Sequence, residues 1–329
     1  MPSVDVADEF ETIDKLLAPL AHPEWGRGLR DDVAVVPSRA GFDLVLTKDA
    51  IVEGVHFLAT DPLETVAQKL LRVNLSDLAA KGAEPFGYLL ACHWSGRCGW
   101  PERAAFAGGL AMDQAEFAIH LLGGDTVVTP GPASFSVSML GWVARGRAIA
   151  RKGARPGDLV FVTGTIGDGV LGLMAAQDRV TLAPERMSSL VAHYRTPMPR
   201  VAFASVVRDF ATASVDISDG LIADLDHVAK ASSVRIEIDL EPMPLSIAAQ
   251  SWFEGRVDAE AALLMLATGG DDYEIALTCR PDAEAALRRE ADRQHLRITR
   301  IGHVVEGQGI AVRLGGRVLN PGQGGWRHR

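Results

Sequence analysis

Val73-Asn74-Leu75-Ser76-Asp77-Leu78-Ala79-Ala80-Lys81-Gly82-Ala83-Glu84-Pro85 decides how this chain is read. It closes a run from Thr65 in which Val66, Leu70, Val73 and Leu78 recur at helical spacing. That periodicity predicts a helix with one apolar face. Gly82 and Pro85 supply its stop signals. Asn74 and Asp77 sit three apart beside the apolar face. A carboxylate there is costly to bury unless it is paired or binds a cation. Pairing with Lys81, one turn on, is one resolution; a cation is the other.

Working outward, Val215-Asp216-Ile217-Ser218-Asp219-Gly220-Leu221 repeats the pattern of valine, Asn or Asp, aliphatic, serine and aspartate. Two acidic turns, Gly123-Gly124-Asp125-Thr126 and Gly269-Gly270-Asp271-Asp272, also echo each other. Asp31-Asp32 and Asp49 precede the first copy. Two pairs in the same order in the two halves read as a duplicated architecture whose acids converge on one place.

The 329 residues suggest two domains, with 47% hydrophobic and 23% charged residues as in ordinary globular proteins. No apolar run reaches the ~18 residues of a membrane helix, and Met1–Phe10 carries acids where a signal peptide would be basic. Cys92, Cys98 and Cys279 are few and are not spaced as a zinc site. The expected compartment is the cytoplasm. A net charge of −9 without a basic cluster argues against a nucleic-acid groove. It leaves room for a phosphorylated ligand whose charge metal ions would screen.

Along the chain, Asp8–Leu17 reads as a helix and Val33–Val36 and Leu44–Thr47 as strands. Ile51–Phe57 reads as a site-lining loop, Gly87–His93 as a strand and Pro101–Phe117 as a helix. Ile119–Leu122 reads as a short buried strand delivering the Gly123-Gly124-Asp125 turn, and Phe135–Ala144 as another strand. Arg145, Arg147, Arg151, Lys152 and Arg155, among glycines and Pro156, mark a boundary and either a solvated linker or a phosphate-facing strip. The domains are therefore expected to span 1–145 and 146–329. In the second, strand Leu159–Val162 precedes Gly167-x-Gly169-x-x-Gly172, a formal dinucleotide fingerprint. No second parallel strand ending in a ribose-binding acid follows at the required distance. Helix-on-sheet packing explains these glycines more simply. Ala213–Ile217 reads as a strand, Gly220–Ser232 as a helix, and Tyr273–Thr278 and Ile298–Val304 as strands. Strands and helices mix without strict alternation, which predicts an α+β or mixed α/β fold.

Magnesium takes oxygen ligands, commonly one or two carboxylates plus nucleotide phosphates. Asp32, Asp49, Asp77, Asp125, Asp216 and Asp219 exceed the needs of one acid–base pair and suit metal ions bridging a polyphosphate. No Walker-type loop and no protein-kinase motif set occurs.

These stretches resemble the thiamine-monophosphate kinase family, part of the superfamily of aminoimidazole ribonucleotide synthetase and selenophosphate synthetase. The resemblance runs through Asp31–Val35, Asp49–Phe57, Val73–Pro85, Gly123–Thr126, Gly146–Arg151, Val162–Asp168, Asp216–Leu225 and Gly269–Glu274, in the family's order. It implies transfer of the γ-phosphate of ATP onto thiamine monophosphate, giving thiamine diphosphate by direct in-line attack with no catalytic side chain and no phospho-enzyme. It implies that Asp32, Thr47, Asp49, Asp77, Asp125, Asp216 and Asp219 hold several magnesium ions. Gly124, Arg151 and Ser218 would contact ATP, and His56, Asp271 and Trp326 the thiamine phosphate. It further implies an N-terminal sheet-forming domain that binds ATP and metal and pairs in a homodimer, followed by a C-terminal α/β domain of the synthetase type. The partners implied are ATP and thiamine monophosphate, with neither nucleic acid nor membrane.

Some positions depart from the family pattern. Arg30 replaces a glycine, Lys48 a hydroxyl residue, and Asp271 a glutamate. The segment after Asp125-Thr126 and the C-terminal His328-Arg329 also differ. A protonated lysine cannot ligate a cation. Lys48 is therefore expected to set its ammonium among the acids in place of one magnesium, the alternative being a stem that reaches solvent. Two other functions stay open: another ATP-using enzyme of the superfamily, and a catalytically weak nucleotide-binding dimer. No reactive N-terminal cysteine of the selenophosphate type and no C-terminal cysteine of the carbamoyl-dehydrating type is present.

Overall fold

The structure, a computed structural model, describes residues 8–322 and 324–325. Trp326 lies outside the described residues, as do His328 and Arg329. The chain divides into two compact units. The first runs to Leu78 and resumes over Glu84–Gly146; the second takes Ala79–Ala83 and the chain from Arg147 onward.

The first unit opens with a short helix α1 (Glu9–Thr12) that continues as a wider turn over Ile13–Leu17. Its sheet has β1 (Phe42–Val52), β2 (Glu84–Ser95), β3 (His120–Thr129) and β4 (Ser134–Ala144) in the order β1-β4-β2-β3. The β2–β3 pair is parallel; β1 and β2 both run antiparallel to β4. Two long helices, α2 (Leu63–Ala80) and α3 (Trp100–Phe117), supply the apolar cover. Phe106 stacks on Phe135 at 4.4 Å between centroids, and Trp94 meets both rings edge-on. Gly109 of α3 lies so close to α2 that a Cβ there would stand 2.1 Å from the Glu64 carbonyl oxygen. The two helices are also tied by a buried pair, Arg72 Nε to Asp113 Oδ2 at 2.8 Å, with Gln68 Nε2 donating to Asp113 Oδ1. Two buried charges need this many partners to be tolerated.

The strands alternate cleanly. On β4, Phe135, Val137, Met139 and Val143 are buried, while the residues between them, from Ser134 to Ala144, face the other way and are half-buried. That other face of the sheet is open and apolar: Leu44, Leu46, Leu89 and Val127 are all exposed, Leu46 at 63%.

The second unit has a seven-stranded sheet. Its strands are β5 (Leu159–Thr163), β6 (Ala211–Asp216), β7 (Arg235–Asp239), β8 (Ile275–Cys279), β9 (Ile298–Val305), β10 (Gly309–Leu314) and β11 (Arg317–Leu319). They lie in the order β11-β10-β7-β9-β5-β8-β6, parallel only between β7 and β10. The helices are α4 (Asp168–Ala176), α5 (Pro184–Arg195), α6 (Ala204–Phe210), α7 (Leu221–Ser232), α8 (Ile247–Glu254), α9 (Ala259–Thr268) and α10 (Glu284–Arg293). Every residue of β5 is buried, and they alternate between two apolar clusters. Val160 and Val162 pack with Leu225, Val228 and Leu266; Leu159 and Phe161 pack with Phe203, Leu277 and Leu287. A sheet covered on both faces reads as an unbroken apolar run, as Leu159–Val162 does. The fold is thus two mixed α/β units, as the sequence pattern leads one to expect. Among the described residues no helix is long and apolar enough to cross a membrane.

Four local expectations need correction. Val33–Val36 is not a strand: Val33 and Val35 are exposed, and the Val35 N–H donates to Trp25 O outside any ladder. Ile51 and Val52 belong to β1, so the loop of this segment begins at Glu53. Gly123-Gly124-Asp125 is not a turn after a short strand but the middle of β3. Gly124 passes so close to β2 that a Cβ would stand 1.8 Å from Leu90 O, so the glycines serve strand approach rather than a turn. The two Ser-Asp segments are not structural duplicates either: the first is mid-helix in α2, the second a loop between β6 and α7.

Candidate active site

In the first unit, Thr47 and Asp49 lie two apart on β1 and so share a face. Their partners Met139 and Val137 are fully buried, which fixes that face as the one turned to the apolar core. Asp77 comes from α2, in a stretch where every residue from Val66 to Ala80 except Asp77 is buried. Thr47 Oγ1 donates to Asp77 Oδ2. Asn74, fully buried one turn earlier, accepts the Asp49 N–H at 3.1 Å and donates to Leu70 O at 2.9 Å. Asn74 therefore locks β1 to α2 and sets the two carboxylates beside each other.

That arrangement is electrostatically unfavourable on its own. Burial first, then the Asp77 charge and its hydrogen bond, push the Asp49 carboxyl up to about 7. Two carboxylates and a hydroxyl, all hard oxygen donors, suit a divalent cation such as magnesium, which would remove the repulsion. Among the described residues no group of three or more His, Cys, Asp and Glu side chains is close enough to hold a metal ion. Ligand oxygens must then complete the coordination, the usual situation for magnesium on a nucleotide.

The other expected acids of this unit stand apart from the pair. Asp32 is exposed in the turn before β1. Asp125 is exposed on β3, opposite Ala91. Its neighbour Thr126 is buried and accepts from Trp94 Nε1 at 2.7 Å, so Asp125 points to the open face. β3 and β1 are the two edges of the sheet, three inter-strand spacings or about 14 Å apart. Within this unit the acids do not converge on one place. Lys48, between Thr47 and Asp49, also points to the open face, with Nζ 3.5 Å from Ser136 Oγ. Strand alternation therefore turns Lys48 away from Asp49 and Asp77, against the expectation that its ammonium sits among the acids in place of one magnesium.

His56 sits in the loop after β1. Its Nδ1 accepts the Val52 N–H at 3.1 Å, and its carbonyl accepts from Lys69 Nζ. A cavity of about 460 Å³ opens near this loop, lined in part by Glu53, Asp61 and Glu102. Those carboxylates already accept from Ala133 N and Arg97, from Leu58 N, and from Gly99 N. These three acids are thus committed to the cavity's own walls, and the Ser-Asp segments line none of it.

In the second unit, β6 ends at buried Asp216, and Ser218 and Asp219 follow, half-buried. Gly220, at φ 120, turns the chain into α7. Asp224 Oδ2 accepts three consecutive backbone N–H groups, from Ser218, Asp219 and Gly220, at 3.1, 3.1 and 3.2 Å. Burial and then the Asp219 charge push the Asp224 carboxyl up to about 7, against the N–H groups and the Arg151 charge, which pull it down. At the far end of α7, Ser232 Oγ donates to Arg151 O at 3.2 Å and accepts from Gly153 N and Ala154 N. The same helix therefore holds the Ser218–Asp219 loop and the Arg151 loop.

Asp271 adopts φ 69, and its N–H donates to Ser218 O at 2.9 Å. Its Oδ1 accepts from Tyr273 Oη at 3.1 Å. Next to it Asp272 is buried and accepts from Gly167 N and Gly169 N at 2.9–3.0 Å. Burial raises its carboxyl well above the usual range. The Asp272 carboxylate thus occupies the position where a dinucleotide fingerprint would receive pyrophosphate. A Cβ on Gly172 would stand 2.2 Å from Leu190 O, so this glycine lets α4 pack on α5. Glu274, also buried, accepts from Thr163 Oγ1 at 2.6 Å and Arg200 Nε at 2.7 Å.

Asn74, Asp224, Asp272 and Glu274 escape the sequence reading as parts of the site. Asp224 carries one legible signal, an acid in the first turn of a helix that opens after glycine.

The chain matches the family of AIR synthase related proteins, in its N-terminal domain over residues 30–143 and in its C-terminal domain over residues 155–315. It is 47% identical over 328 residues to the thiamine-monophosphate kinase of Caulobacter vibrioides, across 99% of this chain and 92% of that one. A crystal structure of thiamine-monophosphate kinase from Stenotrophomonas maltophilia superposes with a TM-score of 0.79 at 36% identity, covering 88% of this chain and 91% of that one. The structure of AaThiL complexed with AMPPCP and TMP superposes with a TM-score of 0.77 at 31% identity, covering 98% and 97%.

Proposed function

The chain belongs to the thiamine-monophosphate kinase family of AIR synthase related proteins, and we propose on that premise how its own residues carry the reaction. The protein is an ATP-dependent kinase that phosphorylates thiamine monophosphate to thiamine diphosphate. A phosphate oxygen of thiamine monophosphate attacks the γ-phosphorus of ATP, the bond to the β-phosphate oxygen breaks, and ADP leaves. The acceptor is already an anion at neutral pH, so no general base is required, and positioning and charge neutralisation carry the reaction.

The observation that carries this reading is the Thr47–Asp77–Asp49 cluster, two carboxylates held side by side at the edge of a buried helix. Magnesium bound there would supply charge neutralisation for the polyphosphate. Thr47, Asp49 and Asp77 would hold it together with phosphate oxygens. Asp216 and Asp219 would serve the same role from the second unit, where Ser218 and Arg151 would contact ATP. Asp32 and Asp125, exposed in the first unit, would add metal contacts, and Gly124, exposed on β3, would reach ATP. His56 and Asp271 would meet thiamine monophosphate, as would Trp326.

The first unit would also carry a homodimer contact. Leu44, Leu46, Leu89 and Val127 leave an apolar sheet face open, of the kind a second copy covers. Asp125 and Lys48 lie on that face. Three free cysteines, two of them buried, agree with a reducing compartment such as the cytoplasm.

Incubating the purified protein with ATP, magnesium and thiamine monophosphate tests the reading. Thiamine diphosphate and ADP in equal amounts are expected. ATP hydrolysis without thiamine diphosphate, or no turnover with intact nucleotide binding, would point instead to a sibling activity or a binding protein.

A further inference from the structure

The loop from Asp216 to Gly220 has nearly all its backbone polar groups committed to the protein itself. Ile217 N donates to Glu274 O, Ile217 O accepts from Tyr273 N, and Ser218 O accepts from Asp271 N. The remaining N–H groups, of Ser218, Asp219 and Gly220, all point at one oxygen, Asp224 Oδ2. Three converging N–H groups opening a helix are the arrangement with which many proteins grip a phosphate. Here a side chain only 2% exposed fills that grip from within.

We propose that Asp224 is a positioning residue for the nucleotide, an internal carboxyl group whose oxygen takes the place a phosphate oxygen would occupy and so fixes the side chains of Ser218 and Asp219. With the N–H groups spoken for, the loop meets ATP through side chains alone, not through a backbone cradle. The same helix secures the Arg151 backbone through Ser232, so the Ser218–Asp219 loop and the Arg151 loop are anchored to one element. The inference deepens the kinase reading and rests on it for the identity of the ligand.

The test is Asp224→Ala, with Asp224→Asn as the conservative partner, in the full chain. Asp224→Ala empties the grip, and the expected result is an ATP KM raised at least tenfold with the KM for thiamine monophosphate unchanged. Added formate, a small carboxylate, is expected to recover several-fold of the lost kcat/KM for ATP in Asp224→Ala and nothing in wild type. A purely structural role would lower Tm without a formate-dependent recovery. Asp224→Ala with unaltered ATP KM overturns the proposal. If neither variant folds, amide exchange in the wild type decides. Slow exchange at Ser218, Asp219 and Gly220 supports the grip, and exchange at the rate of an open loop overturns it. Should wild type make no thiamine diphosphate, binding of a fluorescent ATP analogue replaces KM. Equal analogue affinity in wild type and Asp224→Ala then overturns the proposal separately from the kinase reading, whereas an absence of analogue binding to wild type overturns both.

Discussion

The two Ser-Asp segments share a sequence pattern and solve opposite problems. Val73–Leu78 lies inside α2, where Asp77 faces Asp49 and accepts from Thr47 Oγ1. Val215–Leu221 leaves a strand, bends at Gly220 and enters α7, and its neighbouring buried acids each have donors: three N–H groups for Asp224, two for Asp272, and Arg200 with Thr163 for Glu274. At the first segment two carboxylates face each other; around the second the neighbouring buried acids are compensated internally. Uncompensated carboxylates await a cation, whereas compensated ones are scaffolding.

Breaking the comparison at its functional residues gives the largest effect. Asp77→Asn and Asp219→Asn are each expected to lower kcat by about 10³-fold or more, a loss of several kcal/mol of charge stabilisation, with circular dichroism unchanged. Near-normal kcat in either folded variant removes that residue from the metal set. The scaffolding side breaks differently. Arg200→Met leaves Glu274 buried without its cation and is expected to cost ~3 kcal/mol in urea unfolding, a loss of fold rather than of chemistry. No change in the urea midpoint would mean that Glu274 is not held by Arg200.

Asp271 sits between the two kinds. It is tied to Ser218 O through its N–H, and its carboxylate accepts from Tyr273 Oη. Asparagine tolerates the left-handed backbone at this position. Asp271→Asn is therefore expected to fold normally and to raise the KM for thiamine monophosphate about tenfold, the worth of one charged hydrogen bond, with ATP affinity unaltered. A weakened ATP Kd with unchanged KM would move Asp271 to the nucleotide side. Lys48→Thr is the smallest change. On the open face it is expected to alter kcat less than about twofold and to leave the count of manganese sites in anomalous scattering the same. An extra site in Lys48→Thr would restore the metal-replacement reading.

Much of this was legible in the residues. The helical spacing from Val66 to Leu78 located α2, and the apolar run Leu159–Val162 located β5. The place of Asp77 beside an apolar stripe was legible in the same spacing. Other features depended on information that periodicity lacks. Asp125 faces away from Asp49 because of strand order and register, which only the pairing of β3 with β2 reveals. The repeated Ser-Asp pattern misled because residue order is blind to whether the backbone is helix or loop. Gly220 was the one local sign that the second copy bends. The roles of Asp224 and Asp272 stayed hidden because their partners are backbone N–H groups, which every sequence has. Lys48 was misjudged by adjacency, since in a strand the nearest neighbours in sequence point to opposite faces.

The central claim is that the Asp49–Asp77 pair is a cation site. The Asp49 carboxyl is raised in the folded protein, so the native state gains stability from its protonation at low pH and loses it as pH rises through about 7. Magnesium relieves the repulsion only when both groups are ionised. Calorimetric melting with and without magnesium at pH 5.5 and pH 8.5 measures this directly. The account predicts a magnesium-induced rise in Tm that is larger at pH 8.5 than at pH 5.5 and is lost in Asp77→Asn. A rise of equal size at both pH values, or one that persists in Asp77→Asn, would contradict it.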